Sequence, residues 1–423
     1  MEGLAAYHRR RPAAQPVDAD MFSLALRNLL RQKSRTAITA LAICAGVIAL
    51  ILTGGFVQDI FTQLGEASIH SRSGHLQIFR QGFYEAGSRS PEKYLIDNPE
   101  SLRHSIMQHP EVADVLARIQ FAGLLNNGRT DWPIIGEGVE PDKEARLGSY
   151  LKISQGRQLK DSDAQGILLG EGVAASLKLK PGDHVTLVAN AAEGALNSLD
   201  FEVIGVFQSF SKDFDARAVR IALPAAQELL YTQKVNALVV SLHRTQDTAA
   251  VAALLQRQLG KSGYEVKTWI ELNDFYEKTV KLYGQQFGVL QFIILVMVLL
   301  SVANNINMSV FERLGEFGTM MALGNRSTYV FRLILVESCL LGLVSALLGV
   351  ILGVALAWAI SAIGIPMPPP PNANLGYTGH ITIIPAVLGK AYLVGFAATV
   401  LGALLPAARV SRTPVIEALR ANV

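Results

Sequence analysis

The sequence predicts an α-helical membrane protein with four transmembrane helices and a large mixed α/β external domain inserted between helices 1 and 2. Three observations carry this. Four apolar segments have few or no charged side chains over the ~20 residues that a bilayer-spanning helix needs. Some two hundred residues between the first two of them read instead as short strands and helices. Lysine and arginine cluster in the short connections on one side only. Composition agrees: half of the 423 residues are apolar and 17% are charged, and the mean hydropathy is +0.30. That is too apolar for an ordinary soluble enzyme and too polar for a chain lying wholly in lipid. A net charge of +3, scattered along the chain, argues against a nucleic-acid partner. Both cysteines, Cys44 and Cys339, fall in apolar segments, as buried free thiols do.

In chain order, residues 1–20 are polar and unpatterned, which predicts a disordered cytoplasmic tail. Residues 21–35 carry Arg27, Arg31, Lys33 and Arg35 on an amphipathic pattern, predicting a helix lying at the headgroups. The first span and an outward stalk occupy 36–73, with Thr36–Val57 free of charge. The external domain, 74–267, is expected as a split α/β lobe carrying an inserted β-rich lobe at about 150–224. In it, HLQIF, ADVLARIQFAGLLN and WPIIGEGVE read as strands and Pro99–His109 as a helix. GILLGEGVAASLKLKPGDHVTLVA and LDFEVIGVFQSF read as β-rich. NALVVSLH, Thr248–Gly260 and YEVKTW read as strand, helix and strand.

The stretch from Trp269 onward (268–311 as a unit) passes from a charged amphipathic segment into the second span. Leu282–Phe311 holds no acidic or basic side chain and no proline. A continuous helix over it would be roughly 60 Å long, about twice the hydrocarbon thickness. Its Gly284 and Gly288 suit small packing positions. The third span is expected at 328–363, a Pro-rich external loop at 364–384, the fourth span at 385–408 and a short tail at 409–423. Arg313, Arg326 and Arg332 lie between spans two and three, and Arg409, Arg412 and Arg420 lie in the tail. The loop before Pro385 has no charge, so both termini are expected in the cytoplasm.

No nucleotide-binding loop is present: Gly260-Lys261-Ser262 lacks the upstream glycine. Histidines are scattered away from metal-ligand spacing. The tetrapeptide GEGV, at Gly136 and Gly170, reads as turn chemistry. No catalytic, cofactor-binding or metal-ligating residues are therefore expected. The segment 312–327, ERLGEFGTMMALGNRS, is the candidate cytoplasmic coupling helix. Arg313 and Glu316 lie three apart and can pair on one helix face. Gly324-Asn325 reads as a helix C-cap. The apolar side chains Phe317, Met320, Met321 and Leu323 suit docking into a partner's groove. Inside the spans, Asn304, Asn305, Asn307 and Glu337 need partners, water or an interfacial position. For Glu337 the neighbours expected are Arg332 or Arg409.

The segment Arg313-Leu314-Gly315-Glu316-Phe317-Gly318, with Ala322-Leu323-Gly324, resembles the signature of MacB/FtsX-type ABC transporter permeases. Pro406-Ala407-Ala408-Arg409, then Pro414 and Glu417-Ala418-Leu419-Arg420, is similar to that family's ending. Arg27-Asn28-Leu29 with Arg35-Thr36 is similar to its opening. The layout and SGHLQIFRQGFY resemble the LolC/LolE-like lipoprotein-releasing permeases.

The resemblance implies a non-catalytic permease subunit of the inner (cytoplasmic) membrane, paired with a second copy or paralogue. ATP and magnesium would be bound by a separate ATPase subunit. Arg313, Glu316, Gly318, Ala322, Leu323 and Gly324 would form the helix coupling to it. Lipoproteins or lipid-like molecules are the implied cargo, with membrane lipid and a periplasmic carrier or adaptor as further partners. The alternatives are efflux of drugs or peptides, or FtsX-like regulation of a cell-wall hydrolase.

Overall fold

A computed structural model describes residues 17–420 apart from 88–90, 149–150, 192–193, 210 and 370–375. Residues 1–16 of the expected tail, and the end of the proline run, lie outside the described residues. Helix α1 (Val17–Arg31) opens inside the segment read as a tail rather than at 21. Helix α2 (Lys33–Ser68) carries the first span and its extension without a break. It runs into a π-helical turn, Ile69–Ser73, closed by Gly74 at φ 62°.

The inserted domain follows as β1 (Leu76–Arg80), α3 (Phe83–Ala86), α4 (Pro99–Met107), β2 (Val112–Asn126), β3 (Asp131–Val139) and α5 (Pro141–Leu147). Next come β4 (Lys152–Gly156), β5 (Gly166–Gly170), α6 (Glu171–Leu177), β6 (His184–Asn190) and β7 (Leu196–Gln208). The domain closes with α7 (Lys212–Asp215), β8 (Ala218–Ala222), α8 (Leu223–Leu229), β9 (Ala237–Leu242), α9 (Thr248–Leu259) and β10 (Tyr264–Thr268). Local chemistry sets several boundaries. Asn98 caps α4 by accepting from the Ser101 N–H at 3.3 Å, ahead of Pro99 in the first turn. Ser211 caps the short α7 in the same way.

Two readings of this region change. EGVAASL, read as β-rich, is helix α6, because Ala174, Ala175 and Leu177 favour a helix and Val173, Ala174 and Leu177 give it a buried face. The first GEGV lies within β3 rather than in a turn, while Gly170 of the second supplies the extended residue before α6.

Strand order is β10-β1-β9-β2 in one sheet and β3-β8-β5-β7-β4 in the next, with β6 paired to β2 and β7. The 15-residue β2 belongs to both. Its Val112–Arg118 half pairs with β9, and Ile119–Asn126 pairs with β3. The second sheet therefore recruits residues well before 150, where the inserted lobe was expected to begin. Ile78, Ile106, Val115, Val240 and Leu255 fill one core; Leu125, Ile167, Leu187, Phe201 and Val219 fill the other.

At the switch between sheets five charged residues meet. Arg118 donates to Glu144 at 2.5 Å and to the Arg72 carbonyl at 2.7 Å. Arg220 donates to Glu137 at 3.0 Å. Glu137 is fully buried. Burial alone would raise its carboxyl, but Arg118, Arg220 and Arg72 together hold it down at about 2. Arg118, Glu137 and Arg220 each sit inside an apolar run of a strand, which is the sequence signal for this cluster.

Beyond β10, Trp269–Asn273 forms turns, so the long helix starts later than Trp269. Asn273 caps it, accepting from the Tyr276 N–H at 3.1 Å. Helix α10 (Asp274–Glu312) then runs 39 residues. Near the start of α10, the Tyr276 hydroxyl donates to the Phe61 carbonyl at 3.2 Å, and Trp269 covers Gly65. The remaining elements are α11 (Leu314–Ala322), α12 (Ser327–Ile363), a two-stranded sheet of β11 (Ile365–Met367) and β12 (Tyr377–Gly379), α13 (Pro385–Ser411) and α14 (Val415–Arg420). The two short strands flank the proline run of the loop expected at 364–384.

Contacts divide the chain into two compact units. One comprises the chain up to Asp59, Tyr283–Ile365 and the chain from Gly379; the other comprises Ile60–Leu282 and Pro366–Thr378. Among the described residues four helices, α2, α10, α12 and α13, are long and apolar enough to cross a membrane.

Within the first unit α12 packs along α13, and small residues on both let α2 approach closely. A Cβ on Gly349 would lie 2.9 Å from the Val47 Cβ, and one on Gly395 would lie 2.5 Å from a Val47 methyl. Gly284 and Gly288 behave differently from their expected packing role. Among the described residues, nothing lies within 4 Å of where their Cβ atoms would be. They line an apolar groove of about 630 Å³ between α2, α10 and α13, edged by Gln58, Gln291 and Lys390. Toward the C-terminal half of α2, buried Asp59 accepts from the His380 N–H at 2.8 Å and the Thr382 hydroxyl at 3.1 Å.

Candidate functional site

The segment joining α10 to α12 is built around Arg313. This residue sits between α10 and α11 at φ −97°, ψ 11°, outside helical geometry, so its side chain leaves the helix axis. Its guanidinium is nearly buried, with 7% of the side chain exposed. Two of its nitrogens donate to both oxygens of Glu337 on α12, at 2.7 and 3.3 Å. The third, Nε, donates to Glu316 at 3.1 Å. A planar fork meeting a carboxylate in this way fixes direction as well as distance. Arg313 also lies over the Phe317 ring, 4.9 Å from its centroid.

Asn28 on α1 completes the arrangement, donating to Glu337 at 2.6 Å. Arg35 pairs with Glu312, and Arg31 lies 3.7 Å from Glu316. A small cavity of about 50 Å³ adjoins these groups, lined by Gln32, Thr39 and Ser309 together with apolar side chains such as Ile306 and Leu341. One carboxylate thus ties together α1, the end of α10 and α12. The C-terminal α14 packs against α11 from another direction, with Ala418 fully buried.

The expected Arg313–Glu316 pair is present. Glu337 is partnered by Arg313 and Asn28 rather than by Arg332 or Arg409. The expected docking face divides. Phe317 is fully buried in the core of its own unit, and Met320 and Met321 pack partly against that core. Gly318 is buried, whereas Ala322, Leu323 and Gly324 are exposed, Leu323 to 81%. The tip of the segment is thus exposed, while most of its apolar face is covered by its own unit.

The tip ends in a defined turn: the Gly324 N–H donates to the Met321 carbonyl and the Asn325 N–H to the Met320 carbonyl, at 3.0 and 3.2 Å. Gly324 holds φ 99°, a conformation that a side chain strains. Asn304 is exposed and Asn307 half-buried; neither side chain has a hydrogen-bond partner among the described residues, and neither joins the Arg313 cluster. Asn28 was visible in the sequence only as part of the Arg27-Asn28-Leu29 motif, with nothing local to mark its partner.

Residues 36–258 match the MacB-like periplasmic core domain, and residues 288–415 match the FtsX-like permease C-terminal domain. The chain belongs to the MacB/FtsX-type ABC transporter permeases. It is 22% identical over 418 residues to an uncharacterized ABC transporter permease of Methanocaldococcus jannaschii, covering 95% of this chain and 98% of that one. It is 25% identical to the lipoprotein-releasing system transmembrane protein LolC of Xylella fastidiosa, over 76% of each chain. It is 23% identical to the macrolide export ATP-binding/permease protein MacB of Hyphomonas neptunium, covering 98% of this chain but 62% of that protein. Among solved structures, the periplasmic region of MacB from Actinobacillus actinomycetemcomitans covers half of this chain, at 18% identity and a TM-score of 0.35. The protein is a multi-pass membrane permease of a family whose members work with an ABC ATPase.

Proposed function

We propose that this chain is the non-catalytic permease subunit of an inner-membrane transporter, converting ATP-driven closure of a separate ATPase subunit into movement of its inserted domain. ATP and magnesium belong to that partner. The observation carrying this reading is the contrast within the coupling segment. Its root, Arg313 and Phe317, is locked into the membrane unit, while its tip, Ala322–Gly324, stands exposed. Force applied at such a tip reaches α10 and α12 through the Arg313–Glu337 fork. Helix α10 then supplies a continuous path toward the domain.

The subunit works as a dimer with a second copy or paralogue, both termini in the cytoplasm and residues of about 75–265 outside. The arginine-rich connections support that orientation. The cargo is a lipoprotein or lipid-like molecule taken from the outer leaflet and passed to a periplasmic carrier or adaptor. The apolar groove edged by Lys390 and two glutamines suits such a molecule, and the similarity to LolC points the same way. Efflux of drugs or peptides is the second reading, favoured by the near-complete coverage of this chain by MacB.

The test places a charge on the tip. Leu323→Asp should leave the thermal midpoint of the purified chain unchanged while abolishing co-purification with its ATPase. Retention of the ATPase at the wild-type level would refute the assignment.

A further inference from the structure

The five-residue charge cluster at the sheet switch does not balance. Three guanidinium groups, Arg72, Arg118 and Arg220, face two carboxylates, Glu137 and Glu144. Arg118 and Arg220 are buried and each donates to a carboxylate at 3.0 Å or less. Arg72 is the odd member. Its Nε lies 3.6 Å from Glu137, outside hydrogen-bond reach, and 44% of its side chain is exposed. No acceptor among the described residues takes a hydrogen bond from its guanidinium. The group is nevertheless held in place, stacked over the Phe214 ring at 4.2 Å. A guanidinium pinned flat, with its terminal N–H donors unengaged, is set to receive a ligand at its edge.

Arg72 lines an open cleft of about 290 Å³ in the inserted domain. Its described lining includes Ser68, Ser71, Ser73, Gln77 and Ser211, and contains no acidic side chain. Ser211 accepts the capping N–H of Phe214 at 3.4 Å, leaving its own proton to donate. Gln77 uses one amide hydrogen on the Ser73 carbonyl, at 2.9 Å, and keeps the other. The buried Asp215 has both oxygens on the Ser209 N–H, at 3.1 and 3.0 Å.

We infer that this cleft is an oxyanion site, in which Arg72 and the Ser211 hydroxyl hold a phosphate group, free or esterified. Arginine matches phosphate with paired donors, and a half-exposed guanidinium with no hydrogen-bonded carboxylate among the described residues favours an anion over a neutral ligand. The site is independent of the coupling segment and of any transport cargo.

The test uses the full chain in neutral detergent, titrated calorimetrically with inorganic phosphate, glycerol 3-phosphate and, at matched ionic strength, chloride. Saturable binding of phosphate over chloride is expected, weakened at least tenfold by Arg72→Gln. Ser211→Asp keeps the helix cap, since aspartate caps as serine does, yet puts a carboxylate in the cleft. It should abolish binding with no change in thermal midpoint. Comparable binding of glycerol 3-phosphate would mark a headgroup-type ligand, and binding of inorganic phosphate alone a free one. Absence of saturable binding, or a Ser211→Asp chain that binds like wild type, would overturn the site.

Discussion

Replacing Glu337 by leucine tests the Arg313 hub most directly. The change removes the acceptor of two Arg313 hydrogen bonds and one from Asn28. It leaves a guanidinium with 7% of its side chain exposed and only Glu316 for company. Breaking a buried pair on one side costs about 3–5 kcal/mol, because the remaining charge stays desolvated. Glu316→Gln removes a partner that is 41% exposed, which is worth about 0.2–1 kcal/mol. The two carboxylates share one arginine, yet their replacements should differ several-fold. A double-mutant cycle with Arg313→Met sharpens the comparison. Once the cation is gone, Glu337→Leu should cost far less, giving a large favourable coupling term. The measurement is equilibrium unfolding in mixed micelles for the four members of the cycle and for Glu316→Gln. Additive costs, or a Glu316→Gln penalty equal to that of Glu337→Leu, would refute the hub.

Three further expectations concern other parts of the molecule. Thr279→Pro in α10 removes a helix hydrogen bond and costs about 3 kcal/mol or more, so it should abolish transport while ATPase association survives; Thr279→Ala should be nearly silent, and equal transport by the two would refute transmission along the helix. With Cys44 and Cys339 replaced, a cysteine at Ser162 should react in intact cells with an impermeant thiol reagent and one at Ser411 should not; the reverse pattern would overturn the orientation. Thermal midpoints from about pH 4 to 8 should show two opposed histidine effects. Burial, then the neighbouring His70, lowers His75 to about 4, so its contribution is complete above the ordinary 6.5 and is lost as pH falls toward 4. His70, raised chiefly by its hydrogen bond to Glu66, contributes fully below 6.5 and loses that contribution as pH rises through its folded value. His75→Gln should flatten the acid limb and His70→Gln the alkaline one.

How much of this was legible depends on the range of the interaction. The spans were readable because lipid demands a long uncharged run wherever a helix crosses it. The Arg313–Glu316 pair and the Gly324 turn were readable because both are set within one or two helical turns. Glu337 was noticed as a charge near a span end, but its partner was misjudged. Nothing in local spacing tells Arg313 from Arg332 when the deciding contact is a fold back between α10 and α12. Phe317 misled for a similar reason: an apolar side chain on a short helix looks the same whether it faces a partner or its own core. In the inserted domain, alternation marked β2 and β3 as strands without saying which sheet they join.

Strand β2 has a consequence for how the inserted domain comes apart. Its backbone is hydrogen-bonded to β9 along one half and to β3 and β6 along the other, so neither sheet can open fully without fraying a strand that the other needs. The two lobes are thereby joined into one cooperative unit. Amides in the middle of β2, around Arg118 and Ile119, belong with the slowest to exchange with solvent. An excision that follows the chain from 150 to 224 would strip the second sheet of β4 to β8, leaving β3 without its β8 partner and the far half of β2 without β6 as open edges, prone to pair with another molecule.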